Sequence, residues 1–436
     1  MKVQDIWEID FLLLCAAITL TVFGVLFIYS SGLSSSGTQS STEYIRQIIW
    51  GASGLSLALT LAVIDYRRLY NLSPYLYLGT LGLLGYTCIF GHTVNGAKAW
   101  IGIGSFGIQP SEFTKITTIL FLARYLEASK RNANSFIRFL LACLIVFTPM
   151  AVVLIQPDFG TSLVFIPILL VMTFIAGISI RYIIFLIAFI GLTAVFMVLP
   201  LWQDYIFKNA LPSLMIITNL RFIGITTLAL FLIGILALVG FLLYKKGYFF
   251  WIVYGVGILI FSLGASYMSH KVLKDYQLMR LIVFLNPDVD PRGAGWNIIQ
   301  SITAIGSGGL WGKGYLAGTH SHYRFLPQQS TDFIFSIFSA EWGLMGGILV
   351  FALFLLISLR LVRIMKTAAD PFGTYIAAGL SAMYSFHFLI NVGMTMGIMP
   401  ITGIPLLFMS YGGSAIISAM TGIGLGLSIY IRRFIR

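Results

Sequence analysis

Residues 331–362 read TDFIFSIFSAEWGLMGGILVFALFLLISLRLV. Apart from Asp332 and Glu341 near its start and Arg360 near its end, this run carries no charge. It exceeds the roughly 20 apolar residues that a helix needs to cross a hydrocarbon core of ~30 Å. Similar runs recur along all 436 residues, of which 58% are hydrophobic and 10% charged. The mean hydropathy is +0.93. Soluble domains carry about 25% charge, and a membrane β-barrel would show short alternating segments, which are absent. The chain reads as an all-α polytopic membrane protein.

Twelve spans are expected, near 9–31, 45–64, 73–90, 111–127, 136–155, 161–178, 180–200, 221–244, 247–268, 331–362, 372–396 and 405–431. With the N-terminus inside, short cytoplasmic connections collect Arg67, Arg68, Lys130, Arg131, Lys245, Lys246, Arg363 and Arg433, a positive-inside bias. Both termini are then cytoplasmic, and 91–110, 156–160, 201–220, 269–330 and 397–404 lie outside. The net charge of +12 sits mostly at span ends, where it orients the chain and meets anionic lipid, so nucleic acid is not an expected partner. The opening MKVQDIWEID is crowded with acids and has no small-residue cleavage site, so the first run reads as a retained span. Cys15, Cys88 and Cys143 each lie in an apolar run without pairing or metal spacing, and read as small packing residues. The whole of 1–436 reads as one integral membrane domain. Residues 201–268 look like an inserted linker plus helical hairpin, and 269–330 like a large extracytoplasmic loop.

Polar, glycine-bearing motifs cluster on the outer side. In GIQPSEFTK (107–115), Pro110 suits a first helical turn, and Glu112 complements the positive end of the helix dipole. Lys115, three residues on, shares that face and can pair with Glu112 or serve as an anion partner. In QPDFGTS (156–162), Asp158 is either a turn or N-cap residue or a site carboxylate. The hairpin 221–268 carries almost no ionisable residue and reads as scaffold or a partner-facing surface. NPDVDPRGAGWN (286–297) is a structured loop by its turn formers. IIQSITAIGSGGLWGKGYLAG (298–318) suggests a short amphipathic surface helix, whose glycines could bring backbone amides to a phosphate. It is not a P-loop, since Gly314 follows Lys313 where Ser or Thr is required. His320 and His322 lack nearby carboxylates and do not argue for zinc. In GIMPITGIPLLFMSYGGSA (397–415), irregular backbone at membrane depth requires a protein or cavity lining. Ser410, Tyr411 and Ser414 are candidates to line a cavity, and Gly412 and Gly413 to pack closely.

Asp332 carries the most weight. It can be an N-cap or first-turn acid, or a partly desolvated carboxylate suited to general-base work. Glu341, nine residues on, would sit about 900° round a helix, on the opposite side. It reads as structural, in need of its own buried partner.

Taken together, GIQPSEFTK, QPDFGTS, NPDVDPRGAG, QSITAIGSGGLWGKG, FLPQQSTDFIFS (325–336) and GIMPITGIPLLFMSYGGSA resemble the SEDS (shape, elongation, division and sporulation) family, in order and over most of the chain. KGYLAGTHSHYRFLP (313–327) resembles the RodA (elongation) branch rather than FtsW (division). The resemblance implies a SEDS-type helical bundle and a peptidoglycan glycosyltransferase of the bacterial cytoplasmic (inner) membrane. Such enzymes polymerise lipid II on the outer face, with a class B penicillin-binding protein transpeptidase and the elongation machinery as partners. It places the essential aspartate on Asp332, with Glu112, Lys115 and Asp158 at the other motif positions. Two departures stand out. The usual count is ten spans, so hairpin 221–268 is extra, and the basic residue expected before Trp100 is replaced by Ala99, with Lys98 one step earlier.

In that chemistry one base deprotonates the acceptor 4-hydroxyl, and a single displacement inverts the α-linked donor to a β-1,4 bond, releasing undecaprenyl pyrophosphate. Lys115, Arg280, Lys313 or a divalent cation, magnesium or manganese, could neutralise the leaving group. Gln300, Ser330 and Thr331 are further substrate-site candidates, and no organic cofactor is expected. The rival readings are a lipid II flippase or transporter, an FtsW-like division polymerase, and a non-catalytic scaffold.

Overall fold

The structure is a computed structural model, and it describes all residues except 1–8, 35–37, 40, 95–96, 104–105, 133–134, 208–219, 273–274, 319–325 and 435–436. It divides into two compact units, one of Met1–Ile178 with Asn297–Arg436 and one of Ser179–Trp296.

In the first unit, α1 (Phe11–Ser31), α2 (Glu43–Val63) and α3 (Arg68–Phe90) lead to a small antiparallel sheet, β1 (His92–Val94), β2 (Ala97–Ile103) and β3 (Phe106–Ile108). The sheet falls within 91–110, where an irregular loop is expected. Two residues separate each pair of strands, a spacing that hairpins favour. The Trp100 ring covers Gly107, where an added Cβ would come within 2.9 Å of it. Then follow α4 (Pro110–Ala128), α5 (Phe136–Ile155), α6 (Phe159–Leu163) and α7 (Phe165–Ile175).

The second unit holds α8 (Ile180–Trp202), α9 (Leu220–Tyr244), α10 (Gly247–Val272), α11 (Asp275–Leu285) and the start of α12 (Ala294–Ser307). Its α8 and α10 are joined by the Ser262 hydroxyl, which donates to Phe189 O (3.2 Å), and the Tyr254 hydroxyl, which donates to Arg181 O (2.6 Å). An apolar cavity of about 500 Å³ lies between α8, α9 and α10, lined by Phe189, Ile223, Ile260 and Phe261.

The first unit resumes with the rest of α12, then α13 (Ile334–Thr367), α14 (Pro371–Thr395) and α15 (Gly413–Ile431). Its core is α14 and α15, whose apolar windows are 67% and 83% buried. Small residues let these helices approach others closely. An added Cβ at Gly424 would lie 2.6 Å from Ala58 O of α2, and one at Gly422 would collide with the Tyr384 hydroxyl of α14. The ends are capped by acids. Asp10 accepts from Leu13 N and pairs with Arg360, while Asp370, just before Pro371, accepts from Gly373 N (2.7 Å).

Each of the twelve expected spans contains a helix, but the one expected over 405–431 is helical only from Gly413, its first eight residues being irregular. Nine helices among the described residues are long and apolar enough to cross a membrane. The other three are α3, the charged α4 and the pair α6–α7, which breaks at Val164. The protein is an all-α polytopic membrane protein apart from the small sheet. The three cysteines are free; Cys143 is buried and Cys88 partly so, but Cys15 is exposed, so the packing reading does not extend to it.

Candidate active site

The first site element is the turn before α13. Gln328, with φ of +53°, offers its carbonyl to the amides of Thr331 (3.2 Å) and Asp332 (3.2 Å) and to the Thr331 hydroxyl (3.2 Å). A non-glycine residue in that conformation stores strain, which must be held by its surroundings. They do hold it: Tyr411 N donates to Ser330 O (2.9 Å), and Gln329 Nε2 donates to Ser31 O (3.0 Å). Asp332 is partly buried and precedes the helix. The N-cap position of α13 falls on Phe333, and its first turn holds no acid, so the capping reading of Asp332 does not apply. The Asp332 carbonyl accepts from Asn391 Nδ2 (2.9 Å).

The second element lies on α4, which starts at Pro110 as its motif predicts. Lys115 and Glu112 are both buried, with Nζ 2.9 Å from each carboxylate oxygen. The same ammonium lies 3.0 Å from His387 Nε2. Lys115 is therefore held inside the protein.

Asp158 joins this group. Its carboxylate accepts from Thr161 N (3.1 Å), capping α6, from the Thr161 hydroxyl (2.8 Å) and from Gln109 Nε2 (2.8 Å). Burial pushes the carboxyl above the ordinary carboxylate range, the Thr161 bonds act against that, and nearby Glu112 and Lys115 act in opposite senses. Asp158 is thus both a cap and a member of the cluster.

Between 397 and 412 the chain is irregular and largely buried, and side chains satisfy its backbone. His387 Nδ1 lies 3.2 Å from Pro405 O, and Asn391 Nδ2 donates to Ile404 O (2.8 Å). The Ser410 hydroxyl accepts from Leu406 N (2.8 Å), and Gln47 Nε2 donates to Ser410 O (3.0 Å). Ser414 Oγ accepts from Gln109 N (2.8 Å). Gly413 does pack closely, since a Cβ there would come within 2.8 Å of the Trp50 ring.

The glycine-rich segment differs from its phosphate-loop reading. Lys313 N donates to Ala340 O (3.1 Å), Gly314 N to Glu341 O (3.0 Å) and Gly312 N to Gly308 O (2.8 Å), while Leu344 N donates to Gly309 O (2.9 Å). The loop thus plugs a kink in α13, where Gly343 has φ of +63° and breaks the helical ladder. Its amides are used up by protein carbonyls. Glu341, just before the kink, accepts from the Ser30 hydroxyl and from Leu316 N (3.0 Å), the buried partners its structural role requires.

Of the remaining candidates, Lys313 is exposed, Gln300 is partly buried on α12, and Arg280 belongs to α11 of the second unit. His320 and His322 lie outside the described residues. Among the described residues, no three His, Cys, Asp or Glu side chains group as a metal cage.

This arrangement can be set beside known proteins. The family model described as cell cycle protein, for FtsW, RodA and SpoVE, matches residues 10–213 and 205–433. The chain belongs to this family. Peptidoglycan glycosyltransferase RodA of Treponema pallidum is 49% identical over 433 residues, covering 99% of this chain and 100% of that one. Peptidoglycan glycosyltransferase MrdB of Escherichia coli K12 is 31% identical, with 99% and 96% covered. A solved peptidoglycan synthase complex, described as coordinating polymerization and crosslinking, has a chain that aligns with a TM-score of 0.68 at 24% identity, covering 98% and 99%. The crystal structure of Thermus thermophilus rod shape determining protein RodA aligns at 0.60 and 22%, with 98% of each chain covered.

Within this FtsW/RodA/SpoVE chain the departure before Trp100 has a structural account. Ala99 is buried, and Lys98 Nζ donates to Ile89 O (2.7 Å) at the end of α3, so Lys98 does not stand in for the missing base. Sequence reasoning missed Gln109, His387 and Asn391. An imidazole and an amide one turn apart within an apolar span were the available signal.

Proposed function

We propose that this chain polymerises lipid II into β-1,4 glycan strands, as a peptidoglycan glycosyltransferase serving cell elongation. The reading rests on its full-length similarity to a protein named for that activity. Asp332 is assigned as the general base. It sits in a braced turn outside the helix, partly buried, with its backbone fixed from both sides. It takes the proton of the acceptor 4-hydroxyl as that oxygen attacks the donor anomeric carbon, and the bond to undecaprenyl pyrophosphate breaks with inversion. Glu112, Lys115 and Asp158 form the buried charged wall of the site. Ser330 and Thr331 shape the turn, and Gln300, Lys313 and, on its sequence position alone, Arg280 are assigned to substrate.

A divalent cation, magnesium or manganese, would supply further charge at the leaving pyrophosphate. Its expected mode, one or two carboxylates plus substrate phosphates, needs no protein cage and fits a single aspartate such as Asp332. A class B penicillin-binding protein and the elongation machinery are proposed partners. The bacterial cytoplasmic (inner) membrane is the proposed location, with both termini cytoplasmic and the reaction on the outer face.

The test uses purified protein and labelled lipid II, with and without the transpeptidase partner. Polymer formation supports the reading, transbilayer movement alone points to a flippase, and neither points to a scaffold. Asp332→Asn is expected to abolish polymer while the protein stays folded and partner-bound. Normal polymerisation by that variant would overturn the base assignment.

A further inference from the structure

His387 and Asn391 lie four residues apart on α14, so they share one face of the helix. Each is buried, and each reaches in two directions. Toward the irregular segment they meet consecutive carbonyls, Pro405 O for His387 and Ile404 O for Asn391. Toward the site they meet the two residues on which the proposed chemistry depends, Lys115 Nζ for His387 and Asp332 O for Asn391.

The imidazole's protonation pattern follows from these neighbours. A carbonyl oxygen can only accept, so Nδ1 carries the proton and donates to Pro405 O. That leaves Nε2 bare in the neutral ring, and it accepts from the Lys115 ammonium. Held by Glu112 on one side and His387 on the other, the ammonium has its direction set. Asn391 donates twice from one amide nitrogen, to carbonyls on two different segments, and so ties the Asp332 turn to the same helix face.

We propose that His387 and Asn391 are positioning residues for the glycosyl transfer, fixing the separation of Lys115 and Asp332 through α14. The inference rests on the proposed polymerase reading. Neither side chain takes part in bond making; both act through the residues they hold. The irregular segment is the second anchor, so a shift in 404–405 would move both charged residues together.

The two functions of His387 can be separated by substitution. His387→Gln places an acceptor near the Nε2 position and keeps the Lys115 contact while losing Pro405. His387→Asn keeps a donor for Pro405 and loses Lys115. Polymerisation by His387→Gln is expected to stay within about five-fold of wild type, and His387→Asn to fall roughly ten- to a hundred-fold, the size of a lost hydrogen bond to a charged group. The reverse order at equal folded fraction would reduce His387 to a staple for the irregular segment and overturn the proposal. Asn391→Leu is expected to lower kcat by a similar factor with KM for lipid II within about two-fold, because it frees Asp332 without touching Lys115. Unchanged kcat would overturn its part. Should these variants fail to fold, the 15N spectrum of histidine-labelled wild-type protein still decides. A protonated Nδ1 and bare Nε2 at His387 support the proposal, and a protonated Nε2 overturns it. Failure of the wild-type protein to polymerise lipid II would instead count against the functional reading itself.

Discussion

The irregular segment 397–412 and the hairpin α9–α10 both belong to apolar parts of the chain, but they solve opposite problems. The segment leaves the helical ladder in a buried setting, so its carbonyls and amides need side-chain partners. Gln47, His387, Asn391 and Ser410 supply them. The hairpin satisfies its own backbone, and the apolar window of α9 is only 6% buried. Broken backbone at depth thus recruits polar side chains, which then become available to hold charged residues. The regular backbone of α9 does not depend on such partners, and its exposed leucines suit a lipid-facing scaffold.

The sharpest way to break this contrast is at the kink of α13, where the first unit depends most on irregular backbone. Gly312 has φ of +80°, and a Cβ there would stand 2.0 Å from Glu341 O. Gly312→Ala is expected to cost about 4 kcal/mol or more, combining backbone strain with a clash that neither segment can relieve. The check is thermal unfolding and monodispersity in detergent. A variant as stable as wild type would mean that the loop does not brace the kink.

Next in size is the buried ion pair. Lys115→Met leaves the Glu112 carboxylate without its cation and is expected to destabilise by about 3–5 kcal/mol. Adding Glu112→Gln should recover much of that, since a neutral amide is cheaper to bury. A double-mutant cycle on unfolding free energy measures the coupling. Additive losses would show that the two side chains stand independently.

The parts legible in the sequence follow from this same contrast. Apolar length located the helices, because nothing competes with a helix in hydrocarbon. The motif at Pro110 announced the start of α4, and Glu112 and Lys115 met as their spacing implied. Long-range pairing was not legible. The glycines of 306–314 read as a phosphate cradle because their amides looked free, and only the fold shows Ala340 and Glu341 accepting from that loop. Asp332 looked able to cap α13, but the strained turn at Gln328 displaces the cap to Phe333. His387 and Asn391 were hidden because each partner lies far off in sequence or across an irregular segment.

A smaller effect is expected at Asp158. Its carboxyl is raised above the ordinary value of 3.8, chiefly by burial, so folding favours the protonated form. That contribution is complete below the ordinary value and is lost as pH rises through the raised one. Asp158→Asn keeps an oxygen for Thr161 N, and Gln109 can turn its amide to match. The variant should lie within about 1 kcal/mol of wild type, the usual scale of a cap change. Above about pH 4, it should gain on wild type as pH rises. Thermal midpoints of both proteins from pH 4 to 8 test this, and a variant that loses ground to wild type as pH rises would reverse the sign.

The least effect is expected on the hairpin. Leu236 is 71% exposed on α9, so Leu236→Ala removes side chain that touches little protein, and the expected change is within about 0.5 kcal/mol. The matched control is Leu380→Ala on α14, where the side chain is fully buried and the same truncation should cost about 2–5 kcal/mol. Polymerisation by Leu236→Ala should equal wild type if α9 only faces lipid. A loss of activity with an unchanged thermal midpoint would give the hairpin a contact that the reaction uses, and the division between broken, functional backbone and regular scaffold would fail there.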